Sequence, residues 1–183
     1  DQLYRIALIK QWRTTGLAHD GVSLGGALLP IGFFGDADEL ARAVDRAFPG
    51  SRIAISDRDG RFELALHQRG LVRPLAGAEL SDGTLRYLLL VAALLSPRPP
   101  ELLVLNEPET SLHPELLGPL AELIATVAEQ TQVVVVTHAQ PLVRALARGA
   151  ADPHTVELVK VHGATTIAGQ GRLDQPPWYW PKR

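Results

Sequence analysis

Two apolar runs without alternation, Leu102-Leu103-Val104-Leu105 and Val133-Val134-Val135-Val136, organise the second half of the chain. Such runs suit strands covered on both faces, as in a parallel sheet, better than strands with one wet face. Between them Leu116, Leu117, Leu120, Leu123, Ile124 and Val127 fall at helical spacing, behind a Pro114 that suits a first helical turn; the pattern predicts a helix reaching about Gln130. Strand, helix and strand then occupy about 35 residues, the size of a right-handed βαβ crossover.

Upstream, Ser81 is placed to cap an apolar helix from Leu85 to Leu95 that Pro97 and Pro99-Pro100 end. Asp36 is placed to cap a helix running to about Phe48, with Leu40, Ala43, Val44 and Ala47 on one side and Pro49-Gly50 as its stop. The alternating runs Arg52–Ser56 and Arg61–Leu66, separated by Asp57-Arg58-Asp59-Gly60, predict a hairpin. Six Gly and one Pro between Gly16 and Gly35 read as a long loop, or as a place where a segment has been left out. Residues 1–13 fit a short helix or strand. A helix over Pro141–Arg148 and strands near 155–161 and 164–168 follow the crossover. The tail Trp178-Tyr179-Trp180 gathers three of the chain's aromatics, which could stack on a base, seat a partner or pack back on the parent domain. This grammar divides the chain at residues 1–79, 80–170 and 171–183.

Composition narrows the classes. With 183 residues, 46% hydrophobic and 21% charged, and a mean hydropathy of +0.05, the chain is globular in type. A net charge of -2 supplies no general basic footprint for nucleic acid or anionic lipid. Cysteine is absent, so disulfides and Cys-held zinc are excluded. Apolar stretches such as Leu88–Leu95 fall short of the roughly 18 residues of a bilayer span. We expect a soluble, cytoplasmic protein. The chain opens at Asp1 and contains no Met, which leads us to expect residues upstream.

Ligands of parallel sheets bind beyond the carboxyl ends of the strands. The first apolar strand ends in Asn106-Glu107-Pro108-Glu109 and the second in Thr137-His138, so a carboxamide, a carboxylate and an imidazole are expected on one shared rim. Leu80-Ser81-Asp82-Gly83-Thr84 adds a Ser and a Gly at a helix N-terminus, where free N–H groups and the helix dipole favour an anion. Each feature also has a plain structural reading. Ser81 serves as a helix cap, Glu107 and Glu109 as solvated strand-end charges, and His138 as a hydrogen-bonded turn residue. Their order is what argues for chemistry. His19, His67, His154 and His162 have no ligand spacing.

Here the sequence resembles a family. Leu80–Thr84 looks like the signature motif of ABC-type ATPase heads, Leu102–Glu107 like their Walker B strand, Thr110-Ser111-Leu112-His113-Pro114 like the D-loop, and Val133–His138 like the strand leading to the switch histidine. The wording resembles bacterial AAA/ABC-type ATPases related to SMC-like and RecF-like heads more than transporter subunits. The resemblance implies an α/β fold of P-loop NTPase type, a three-layer sandwich on a mainly parallel sheet with its N-terminal portion incomplete. It implies ATP and Mg2+ as cofactors, Glu107 as general base, and His138 as a γ-phosphate contact. Ser81, Gly83 and Thr84 would touch a nucleotide held mainly by a second subunit, from a turn remote from the Walker B edge. Ser111 would link the two sites of a nucleotide-bound homodimer. Two departures stand out. Position 106 is Asn where most of the superfamily has an Asp that holds magnesium through water. No Gly-x-x-x-x-Gly-Lys-Ser/Thr occurs; in ABC-type heads that phosphate-cradling loop lies upstream of the signature motif, so the resemblance leads us to expect it in residues before Asp1. Two further readings stay open: a degenerate head that serves as a scaffold, and a DNA-repair or anti-phage ATPase, which the net charge does not support.

Overall fold

The structure, a computed structural model, describes residues 6–9, 22–58, 61–161 and 163–169. Strand β5 (Leu102–Asn106) lies between β1 (Ile6–Ile9) and β6 (Gln132–Val136), parallel to both, with Leu103 opposite Val133 and Asn106 opposite Val136. Helix α4 (Leu117–Ala128), entered through a short 3-10 turn at Pro114–Leu116, makes the predicted crossover between β5 and β6. After β6 the chain turns into α5 (Gln140–Gly149).

The core forms where the apolar side of α4 meets β5 and two earlier helices, α2 (Ala37–Ala47) and α3 (Asp82–Leu94). Asp36 caps α2 by accepting from the Glu39 N–H at 2.8 Å, and Ser81 caps α3 through the Thr84 N–H at 3.2 Å. Helix α3 buries Leu85, Tyr87, Leu88, Leu90, Val91 and Leu94, residues that run around most of its circumference, as an interior helix requires. The Tyr87 ring meets Phe48 edge-on, with centroids 5.7 Å apart, and its hydroxyl donates to the Ala43 carbonyl at 3.0 Å. Burial pushes the Tyr87 phenol above its ordinary value.

A second sheet is the predicted hairpin, β2 (Arg52–Arg58) and β3 (Arg61–His67), extended by a short third strand, β4 (Leu75–Ala76). Over residues 22–35 the expectation of a loop is wrong, because Val22–Phe34 is a helix, α1. Leu24, Leu28 and Ile31 recur at helical spacing and are fully buried, so burial of that stripe outweighs the poor helix propensity of three glycines. Gly25 is required by close packing: a Cβ there would stand 2.8 Å from the Phe62 carbonyl oxygen. The earlier part of the expected loop and the aromatic tail lie outside the described residues.

The two faces of the parallel sheet differ. Leu103, Leu105, Val133 and Val135 join the core, while on the other face of β6 Val134 and Val136 are 41% and 48% exposed. The expectation of cover on both faces is therefore met on one face only among the described residues. The chain divides into two compact units at residues 151 and 152; the described part of the second is an antiparallel hairpin, β7 (Leu158–Val161) and β8 (Ala164–Ile167). Among the described residues no helix is long and apolar enough to cross a membrane.

Candidate functional site

Parallel register decides what meets at the end of the sheet. Because Asn106 lies opposite Val136, the residues that leave β5 and β6 emerge side by side. The Glu107 N–H still donates to the Val136 carbonyl at 2.7 Å, carrying the ladder one residue beyond the strand. The chain then turns sharply. Glu107 has φ +46 and Ser111 has φ +66, the two non-glycine residues with positive φ among the described residues. A β5 continuing straight would carry Glu107 away from the rim; this turn holds it there, a local strain of about 1–3 kcal/mol per residue of the kind found at functional sites.

Four side chains converge as a result. Nδ1 of His138 is 3.6 Å from Oε1 of Glu107 and 3.7 Å from Oε1 of Glu109. The Thr137 hydroxyl donates to Oε1 of Glu109 at 2.5 Å and accepts from the Ala139 N–H at 3.0 Å. Exposure separates the two acids: the Glu107 side chain is 41% exposed and that of Glu109 only 9%. Reading Glu109 as a solvated strand-end charge is thus incorrect. Pro108 turns the chain under itself and Thr137 supplies the donor that makes the carboxyl's burial tolerable. The signal for Glu109 and Thr137 was available in the register, since neighbouring parallel strands that end level must place 107–109 beside 137–138.

The Ser81 turn is a cap as well as an exposed helix start. Its hydroxyl lies 2.9 Å from the Thr84 hydroxyl and accepts from the Thr84 N–H. Asp82 occupies the first turn of α3, where its negative charge already answers part of the helix dipole. Just before this turn Arg73 grips Glu79 with both terminal nitrogens, at 2.8 and 2.7 Å, while the Ala76 N–H donates to the same carboxylate. The Arg73 bond first, and the Ala76 N–H second, hold the Glu79 carboxyl down at about 2. The turn is not isolated from the β5 loop within one chain: a Cβ on Gly83 would lie 2.9 Å from the Ser111 carbonyl oxygen. His113 caps the 3-10 turn, accepting from the Glu115 N–H at 3.4 Å, which is a structural task.

The donor set limits how a metal could be held. Among the described residues no group of three or more His, Asp or Glu side chains is arranged to bind an ion alone. Asn106 offers a neutral carbonyl oxygen and Glu107 one accessible carboxylate, which fits a magnesium ion that arrives with phosphate oxygens and keeps several waters.

A family model described as "AAA domain, putative AbiEii toxin, Type IV TA system" matches residues 9–145. No curated protein matches the chain. Among solved structures it is similar to one from work on ATP-driven dimerization and DNA-stimulated activation of SMC ATPases, with a TM-score of 0.62 and 12% identity over 81% of this chain and 91% of that one. It is similar also to the SMC head domain from Thermotoga maritima (TM-score 0.53, 22% identity, 71% of this chain, 45% of that one). A third is the Pyrococcus furiosus Smc head with an extended coiled coil, bound to the C-terminal domain of ScpA (TM-score 0.57, 13% identity, 74% of this chain, 34% of that one). The chain therefore spans less than half the length of these last two. Together the likenesses give the fold, the α/β fold of SMC-type ATPase heads.

Proposed function

The chain belongs to that AAA domain family, within the ABC/SMC-like ATPase superfamily, and from this membership we propose that it is the carboxyl-terminal part of an ATP-hydrolysing head. In this reading the head closes as a head-to-tail homodimer around ATP and Mg2+ in the cytoplasm, and the phosphate-cradling loop is supplied by residues upstream. The observation that supports it is the approach of Glu107 and His138 to 3.6 Å at the ends of adjacent parallel strands, on the rim where such sheets take ligands.

Each residue then has a task. Glu107, half exposed on a sharply turned backbone, orients a water for in-line attack and accepts its proton on a carboxylate oxygen. His138 presents the outer edge of its ring to the γ-phosphate. The Ser81 and Thr84 hydroxyls and the backbone N–H of Gly83 serve the γ-phosphate of the nucleotide held by the opposite subunit. Asn106 would hold the magnesium through a coordinated water. When bound, that ion neutralises charge on the β- and γ-phosphates. Ser111, on the loop leaving Glu107 and against Gly83, joins one chain's water-orienting residue to the turn that serves its partner.

A second reading has one observation in its favour. Asn106 brings no charge, which suits a head that binds nucleotide or a partner protein as a scaffold without turnover. Nucleic acid as the target has no support from the net charge of -2. Glu107→Gln in the full-length protein separates the first two. If the head hydrolyses ATP, the variant loses turnover by about 100-fold or more and retains ATP in a stable dimer, seen by light scattering. A scaffold shows no turnover before the change and no new dimer after it.

A further inference from the structure

The proposed chemistry uses Glu107 and His138 but leaves Glu109 without a task. Its place in the structure is costly. The side chain is 9% exposed, and while Oε1 accepts from Thr137, Oε2 is buried with no hydrogen-bond partner among the described residues. A carboxyl half satisfied in this way weakens the fold compared with an apolar or amide side chain of the same shape. Packing therefore gives no reason for a carboxyl here, and Oε1 meets both the Thr137 hydroxyl and the His138 ring, two neighbours on one turn. Through the hydroxyl of Thr137 it holds the turn whose next N–H, that of Ala139, closes back on the same oxygen, with His138 between the two. Its own carbonyl is tied by the Leu112 N–H at 3.0 Å, so the carboxyl is anchored to the β5 loop on one side and the His138 turn on the other.

We propose that Glu109 is a positioning residue for His138: it clamps the Thr137–Ala139 turn and, together with Glu107, faces Nδ1 of the ring, so that Nδ1 carries the proton and Nε2 is the atom turned outward. The imidazole needs this help because it is 77% exposed, so packing does little to fix its angle. Two carboxyl oxygens at 3.6 and 3.7 Å from the same nitrogen set the tautomer, since only an N–H is attractive there. In an active head this fixes the distance between the outward nitrogen and the terminal phosphate, a consequence that rests on the ATP-hydrolysing reading above; the placement of the ring does not.

The test uses the full-length protein and three variants, Glu109→Gln, Thr137→Val and Thr137→Ser. Nitrogen-15 resonances of the His138 ring, recorded without nucleotide, report which nitrogen carries the proton. Steady-state ATP turnover gives kcat and KM, and thermal melting gives Tm. The expected result is an Nδ1–H ring in the wild type that becomes a mixture of tautomers in Glu109→Gln and Thr137→Val. In those two variants kcat falls by roughly 10- to 100-fold, the scale of a misplaced group, with KM for ATP within about threefold. Tm in Glu109→Gln is unchanged or higher, and Thr137→Ser, which keeps the hydroxyl, recovers the wild-type resonance and most of kcat. Unchanged His138 resonances in Glu109→Gln and Thr137→Val overturn the proposal, and so does a loss of Tm with the wild-type tautomer kept, which marks a structural role only. A wild-type protein without ATP turnover overturns the proposed function alone, and the resonances then decide the placement of His138.

Discussion

Gly83 and Ser111 touch: the Gly83 α-carbon sits so close to the Ser111 carbonyl that a Cβ added to it would stand 2.9 Å from that oxygen. The turn at the start of α3 and the loop that leaves β5 therefore share one contact, made by two backbones and without any side chain between them. Ser111 holds a positive φ of 66 at that point, so the loop has little freedom to yield.

Gly83→Ala is expected to destabilise the protein by about 1–3 kcal/mol, the cost of forcing a methyl into a filled space bounded by backbone. Gly32→Ala is the control. Gly32 lies in the interior of α1 with nothing among the described residues within 4 Å of an added Cβ, and there alanine should stabilise by about 0.5–1 kcal/mol. Denaturant unfolding of both variants measures the contrast. Equal effects of the two changes contradict the contact.

The Arg73–Glu79 pair sets a prediction in acid. Glu79 has a folded value depressed to about 2, so its contribution to stability is complete above its ordinary value near 4.5 and is lost as pH falls through about 2. Glu79→Gln and wild type should differ in unfolding midpoint above pH 4.5 and converge toward pH 2. Because the pair is exposed, added salt should shrink the difference.

Tyr87 sets the opposite limit. Burial, the main cause, raises its phenol above the ordinary value of 10, so below that pH both folded and unfolded states keep the proton and the stability is complete. Above pH 10 the unfolded chain releases its proton first and stability falls as pH rises. Tyr87→Phe should cost about 1 kcal/mol at neutral pH through the lost bond to Ala43, and should remove the part of the alkaline decline that Tyr87 causes. Melting curves from pH 7 to 11 test both halves.

Asn106→Asp should lower the Mg2+ concentration needed for half-maximal ATP turnover by about fivefold, as ~1 kcal/mol of added charge interaction through water would do. The measurement is a magnesium titration of full-length protein at fixed ATP. No change, or a higher requirement, removes Asn106 from the metal's surroundings.

The central crossover was legible because its signals are local and agree with one another. Unalternated apolar runs gave two parallel strands, helical spacing after Pro114 gave α4, and level strand ends put Glu107 beside His138. Helix α1 was hidden because Gly25, Gly26 and Gly32 speak for a turn, while the burial of Leu24, Leu28 and Ile31 that decides the matter depends on distant partners in the shared core, from α3 and β3. Glu109 was misjudged for a related reason. An acid three residues past a strand is usually wet, and only the fold of Pro108 and the hydroxyl of Thr137 make it otherwise. The open face of β6 could not be foreseen from four consecutive valines, which look the same whether or not something lies over them.

That bare pair, Val134 and Val136, has a bearing on handling the molecule. Four consecutive valines on a strand that borders its sheet among the described residues, free of charge, proline and glycine, are a template for adding strands from other copies. Solutions of these 183 residues are then expected to turn cloudy as they are concentrated, and a lysine at position 134 to keep them clear.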